Sequence, residues 1–303
     1  MAFRMEVPRF YYLEVPRDYG TPAGIDDFKK ALDKIYFYND AYRIIPLSSD
    51  PEVVSAVNQL VSGVSNPLDR RETVGFVSYD TSKVINMDDI AELTDKVGGY
   101  SQSLNNKRIC NVFGGESAEM IINGERYVLP DYYIAAAAAS LDAVVGRVEP
   151  LSLREIDVFE KINGPKFRPK QWDQLAAKGV FIICQDNDNS PAIVRHQLTT
   201  AKSESATDQE YSIVKNFDVV TKKFRDRFSI YAGRYNVEAG YTERLEGTLA
   251  TVRQEILDEK LAREITVITA WSQREGADGR NLVTRLKMTP VYPANDLDIY
   301  LII

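Results

Sequence analysis

One histidine, two cysteines and no apolar run near the about 18–20 residues of a transmembrane helix are what this 303-residue chain most obviously has little of. Each scarcity excludes something. With His196 alone, set between Arg195 and Gln197 at a strand end, neither a zinc site nor a Ser-His-Asp triad finds its usual complement, so the imidazole reads as structural. Cys110 and Cys184 lie in apolar runs and form no CxxC pair, which makes both buried free thiols and suits a reducing compartment. A net charge of -7 lacks the basic field that a general nucleic-acid or anionic-membrane binder needs. Met1 to Arg9 has no signal-peptide core, and the chain carries no internal repeat or low-complexity tract.

Phosphate loops and Gly-x-Gly-x-x-Gly turns are missing too, so no strand ends in an anion cradle. Asp186-Asn187-Asp188-Asn189-Ser190 begins like a calcium loop, but Pro191 and Gln197 stand where glycine and glutamate are required, which leaves a hairpin turn. Gly114-Gly115-Glu116-Ser117 follows a strand like a nucleophile elbow, yet Glu119 replaces the second glycine. No metal, no cofactor and no catalytic group is expected.

What is present is an alternation of strands and helices. Phe10 to Val15, Tyr42 to Leu47, Thr73 to Tyr79 and Arg108 to Phe113 read as strands. Between them, helices bury Ile25, Phe28, Leu32 and Ile35, then Val54, Val57, Leu60 and Val61 behind an Asp50-Pro51 start, then Ile90, Leu93 and Val97, capped by Asn86 and stopped at Gly98-Gly99. This predicts a helix-flanked, mostly parallel sheet over 1–146. A hairpin at Asn123-Gly124 leads into Tyr133 to Val145, where the block Ala135 to Ala139 makes a helix apolar on nearly every side, hence buried all round. Residues 147–198 read as a linking segment with a helix from Pro169 and a strand pair, Val180 to Cys184 with Ala192 to His196. Thr199 to Gln209 is polar and expected to be loose.

The third region, 199–303, predicts a helix-helix-sheet domain, giving an α+β fold overall. One helix presents Ile213, Phe217, Val220, Phe224 and Phe228, the next Leu245, Leu249, Val252 and Ile256, with Lys222, Lys223, Arg225, Asp226 and Arg227 on a solvated face or at a subunit contact. Strands Glu264 to Trp271 and Leu282 to Thr289 follow. The chain then closes on Leu297, Ile299, Leu301 and Ile303, an alternating apolar end that must be covered by its own sheet or by a neighbour's.

In order and spacing these elements resemble the contractile tail sheath proteins of phages and of related contractile injection systems. The resemblance is carried by the strand-helix series to Phe113, by Tyr127-Val128-Leu129-Pro130-Asp131-Tyr132-Tyr133-Ile134 before the alanine block, by Gln171 to Leu175 with Ala177 to Val180, by Arg195 to Thr200, and by the two-helix, three-strand end with Pro293 to Leu297. It implies a structural, non-enzymatic subunit of the virion tail, made in the host cytoplasm. Such a subunit polymerises helically around a tail tube, with neighbouring subunits, the tube protein, baseplate and tail terminator as partners, without nucleic acid or membrane insertion. It also implies strand exchange between neighbours, with Leu297, Ile299, Leu301 and Ile303 as the added strand and Trp271, Leu282, Leu286 and Met288 on the receiving sheet. The family's proline-containing N-terminal arm is not matched by Met1 to Arg9, so the chain reads as a fragment, a short sheath or a minor paralogue. Two other readings stay open. A small-molecule α/β enzyme with an oligomerisation module predicts a deep polar pocket at the carboxyl ends of the parallel strands. A baseplate or tail-terminator component would borrow the sheath fold.

Overall fold

Three of the predicted strands, near 74, 109 and 180, lie side by side in the computed structural model, which describes residues 5–15, 23–38, 40–65, 69, 71–146, 149–203, 205–231, 234, 240–273 and 282–293. The chain forms two compact units, one ending at Tyr211 and the other starting at Ser212. The first unit runs α1 (Ile25–Ile35), β1 (Arg43–Ile44), α2 (Pro51–Val64), β2 (Val74–Ser78), α3 (Ile90–Leu93), a π turn (Thr94–Gly98), α4 (Gly99–Leu104) and β3 (Ile109–Phe113). It continues through β4 (Ser117–Ile122), β5 (Glu125–Pro130), α5 (Tyr132–Val144), β6 (Glu155–Ile156), β7 (Lys161–Asn163), α6 (Pro169–Ala176), β8 (Val180–Cys184), β9 (Ala192–His196) and α7 (Ala206–Gln209).

Among the described residues the main sheet has the order β1-β2-β3-β8-β9-β6, with the first four strands parallel and β9 antiparallel to both its neighbours. Strand periodicity sorts its side chains. Phe76, Cys110, Val112, Phe181 and Ile183 face α5, whereas Val77 and Ile109 meet the Val54, Val57 and Val61 stripe of α2. Phe113, Val180 and Ile182 cover Leu93, Val97, Trp172 and Leu175. Both faces are therefore helix-covered, which explains why β2, β3 and β8 are buried at every position.

The alanine helix is central, as its composition requires. Ile134, Ala135, Ala137, Ala138, Ala139, Ser140, Leu141 and Asp142 of α5 are all buried, and the helix touches β2, β3, β4, β5 and β6. Asp131 caps it by accepting from the Tyr132 amide at 2.8 Å. A second, three-stranded sheet of order β5-β4-β7 stands at the end of β3, its hairpin turning on Asn123 and Gly124 with φ of 53° and 85°, the positive pair a type I′ turn requires.

Several expectations are corrected. Phe10 to Val15 is not a strand; Phe10, Tyr11 and Tyr12 are exposed, and the segment is fastened by side chains, Arg9 to Asp40 at 3.0 Å and Tyr11 to Asp40 at 2.5 Å. The helix predicted from Asn86 is capped by Asp89, which accepts from the Ala91 and Glu92 amides, and it runs past Gly98-Gly99 to Leu104, where Asn105 turns left-handed. Gly98 instead permits close packing, since a Cβ there would stand 2.8 Å from Lys178 Cγ. Residues 147–198 are no mere link: they supply β6, β8 and β9 to the main sheet and β7 to the small one. The division between units falls after Tyr211 rather than at 199, and Thr199 and Thr200 are buried rather than loose.

The second unit contains α8 (Tyr211–Phe228, whose first residue belongs to the first unit), α9 (Tyr241–Asp258), and the antiparallel pair β10 (Ala262–Gln273) and β11 (Leu282–Pro290). Leu245, Leu249, Val252 and Ile256 form the buried stripe of α9. Among the described residues no helix is long and apolar enough to cross a membrane.

The tightest joint in the first unit is backbone on backbone: a Cβ on Gly164 would lie 2.0 Å from the Gly114 carbonyl oxygen, and one on Gly115 2.3 Å from that of Asn163. Gly164→Ala is expected to cost at least about 1–3 kcal/mol, the range of an overpacked core, read as a lower urea midpoint; an unchanged midpoint would show that the joint gives.

Candidate functional site

The carboxyl ends of the parallel strands are where an α/β enzyme would place its chemistry. Here the ends of β3 and β8 are closed over. Gly114-Gly115 abuts Asn163-Gly164, and the Glu116 amide donates to the Asn163 carbonyl at 3.0 Å. The buried Gln185 spends its amide locally, accepting from the Ile162 amide at 2.9 Å and donating to the Ser190 carbonyl at 2.8 Å, while Lys166 Nζ donates to the Gln185 carbonyl at 2.7 Å. Ser117 Oγ accepts from Asn163 Nδ2 at 3.1 Å, with no imidazole beside it.

The other sequence candidates are equally occupied. His196 Nε2 lies 3.2 Å from Asp173 Oδ1, with Arg195 also reaching that carboxylate at 3.7 Å. The Asp186 to Ser190 loop is a turn held by its own atoms: the Asn187 amide donates to Ser190 Oγ and the Asn189 amide to Asn187 Oδ1, while Asp188 pairs with Lys161 and Lys166. Among the described residues no three His, Cys, Asp or Glu side chains cluster as metal ligands. A hollow of about 700 Å³ does exist along the outer edge of β1. Its walls are apolar side chains of α1 and Ala136, Ala139 and Ala143 of α5, together with the 7–15 segment and the polar groups Arg9, Tyr11, Asp40, Tyr42 and Arg43, of which Arg9 and Tyr11 both bond to Asp40.

The two-stranded sheet of the second unit is the surface the sequence singled out. Ile265 stands opposite Met288 and Val267 opposite Leu286, so these four side chains share one face. Ile265 is buried, Val267, Leu286 and Met288 are half-buried, and Arg263, Arg285 and Lys287 are exposed. Leu282 pairs with Gln273, and Trp271 lies in β10 at a register shift between Thr269 and Ser272. Leu286 and Met288 thus belong to the sheet's packed face. The terminal residues Leu297, Ile299, Leu301 and Ile303 lie outside the described residues. Each described strand pairs on one side only, and on β10 the guanidinium of Arg253, from α9, donates to the Ile265 carbonyl through Nε at 3.0 Å and Nη2 at 2.6 Å. Arg253 thereby occupies an acceptor that an added strand on that edge would need. The basic residues of α8 pair within the unit, Lys223 with Glu259 at 2.5 Å and Arg227 with Glu255 at 2.9 Å, so those two are helix-helix contacts.

Sequence reading missed a buried ionic group. Arg43 Nε donates to Asp142 Oδ2 at 2.5 Å, and the Tyr211 hydroxyl donates to the same oxygen at 2.5 Å. Asp142 stands among alanines on α5, and the one available signal was a carboxylate inside an otherwise apolar helix.

No family model matches the sequence, and neither does any curated protein. Solved structures do match. A sheath tail protein from Desulfitobacterium hafniense is 12% identical at a TM-score of 0.63 over 89% of this chain and 61% of that one. The helical sheath of the anti-feeding prophage in its contracted state is 11% identical at 0.65, over 95% and 76%. The baseplate of the same particle is 12% identical at 0.53, over 95% and 82%. The chain thus spans about three fifths of the first of these proteins.

Burial raises the thiol of Cys110 well above its ordinary value and that of Cys184 to about 11. Both should resist alkylation at neutral pH until denaturant is added; modification of the native protein at the rate of a free thiol would contradict their placement. Asp131, pushed up by burial against the bonds from Thr81 and Tyr132 that pull it down, binds its proton more tightly folded than unfolded. Its contribution is therefore full below the ordinary aspartate range and is lost as pH rises through the raised value. Asp131→Asn should flatten the fall in stability across that window in urea titrations, and an unaltered slope would contradict it. The chain has the fold of the contractile tail sheath proteins.

Proposed function

We propose that this chain is a structural subunit of a contractile tail sheath, which polymerises as a helical array around a tail tube and shortens to drive the tube through a target envelope. The observation that carries the reading is the shared fold along 89–95% of the chain with a sheath tail protein and with the helical sheath of the anti-feeding prophage. Neighbouring subunits are the first partners; the tube protein, baseplate and tail terminator complete the set, and the virion tail is the place of action. The work is mechanical rather than enzymatic, a reading supported by the sheath proteins that share the fold.

Connection between subunits is by strand addition. Leu297, Ile299, Leu301 and Ile303 alternate as an added strand should, with backbone bonds supplying affinity and side chains the register. The receiving sheet is β10-β11, carrying Trp271, Leu282, Leu286 and Met288. With Arg253 on the outer side of β10, the outer side of β11 is the better acceptor. A contact of this heterologous kind that does not close on itself builds a helical filament. A baseplate component is the second reading, supported by the likeness to the anti-feeding prophage baseplate. Deleting 297–303 from the full-length protein should leave folded, soluble subunits that form no tubes in electron micrographs. Normal tubes would remove the strand from the account, and failure of the intact protein to polymerise under any condition would favour the baseplate reading.

A further inference from the structure

Asparagine followed by glycine occurs twice in the chain, both times within the same tripeptide, Ile122-Asn123-Gly124 and Ile162-Asn163-Gly164. The pairing has a chemistry of its own. Because glycine carries no Cβ, its backbone nitrogen can approach the preceding side-chain amide unhindered. The nitrogen attacks the asparagine Cγ and its proton passes to the departing group, so that a C–N bond forms, ammonia leaves and a cyclic imide remains. Water then opens the imide at either carbonyl, yielding aspartate or isoaspartate.

The fold puts the two tripeptides in opposite settings. Asn123 and Gly124 form the exposed tip of the β4-β5 hairpin, and a Cβ on Gly124 would meet nothing within 4 Å. Ile122 stands opposite Glu125, so the turn is closed by those two residues and the Gly124 nitrogen is not spent in closing it. Ring closure requires Asn123 to leave its left-handed backbone, and the rate is therefore set by how often the turn opens. Opening is easy here: Glu125, Arg126, Tyr127 and Val128 are exposed, and among the described residues β5 pairs with β4 alone. Such an end frays locally, without unfolding of the core.

Asn163 is held on every side by comparison. Its Nδ2 donates to Ser117 Oγ at 3.1 Å and to Glu119 Oε1 at 3.4 Å, and its carbonyl accepts from the Glu116 amide at 3.0 Å. Gly164 packs against the Gly114 carbonyl too closely to admit a Cβ, and Pro165 behind it is buried. Freeing the side chain for attack means parting β7 from β4 and opening the joint at the end of β3.

We infer that Asn123 is a site of spontaneous deamidation in the folded protein, whereas Asn163 is protected by the fold. The product alters the hairpin. Isoaspartate routes the main chain through the former side-chain methylene, which lengthens a turn whose two-residue geometry fixes the strand register. Either product also places a new carboxylate two residues from Glu125, adding like charge at the tip.

Incubating the full chain at mildly alkaline pH and mapping its peptides by mass spectrometry tests this, each conversion adding about 1 Da. In native buffer Asn123 should convert at least about tenfold faster than Asn163, the gap reflecting the different cost of local opening. In denaturing urea the two rates should converge. Asn123→Asp should abolish the native conversion and leave the slow reaction at Asn163 as it was. Equal rates in the folded protein, or faster conversion at Asn163, would overturn the inference; so would a tenfold gap that persists in urea, since it would then belong to local sequence and not to the fold.

Discussion

Burial of α5 on every side is the constraint from which the rest of the first unit follows. A helix built on Ala135, Ala137, Ala138 and Ala139 presents almost no side chain that water tolerates better than protein, and its small radius lets sheets approach closely. The parallel strands supply one wall through Phe76, Val112 and Phe181, and the small sheet with β6 supplies others. Closing those walls brings the Gly114-Gly115 and Asn163-Gly164 backbones together at the strand ends. The ends of β3 and β8 are thereby closed over by the core's own backbone.

The same constraint explains Asp142. A carboxylate in this helix must be paired, and Arg43 from the sheet edge and Tyr211 from the unit's last residue both reach it. One polar position thereby ties β1, α5 and Tyr211 together.

Much of this was legible in sequence, and the misses have physical reasons. Period-two runs located β2, β3, β8 and β9, and the Asp50-Pro51 start located α2, because each signal is local. Phe10 to Val15 has strand periodicity without a strand's hydrogen bonds, since its anchoring comes from Asp40, far along the chain. Gly98-Gly99 resembled a helix stop, but the helix runs on through both and Gly98 serves close approach to Lys178. The described part of 199–209 resembled a loop because Thr200 Oγ1 donates to the Asn106 carbonyl and the Lys202 amide to Asn105 Oδ1, partners that only the fold brings near. In the second unit, alternation identified β11 and the helical stripe identified α9, whereas Arg253 guarding an edge acceptor of β10 leaves no trace in periodicity. Leu297, Ile299, Leu301 and Ile303 remain known by pattern alone.

The fold shared with contractile sheaths carries a packed first unit and a second unit whose described sheet has two strands. A cryo-electron reconstruction of the assembled full-length protein tests that most directly. It should reveal helically arranged subunits surrounding a central channel, with an extra strand from a neighbour running along β11. Particles in which β11 pairs with nothing outside its own subunit, or discrete closed oligomers without helical symmetry, would contradict it.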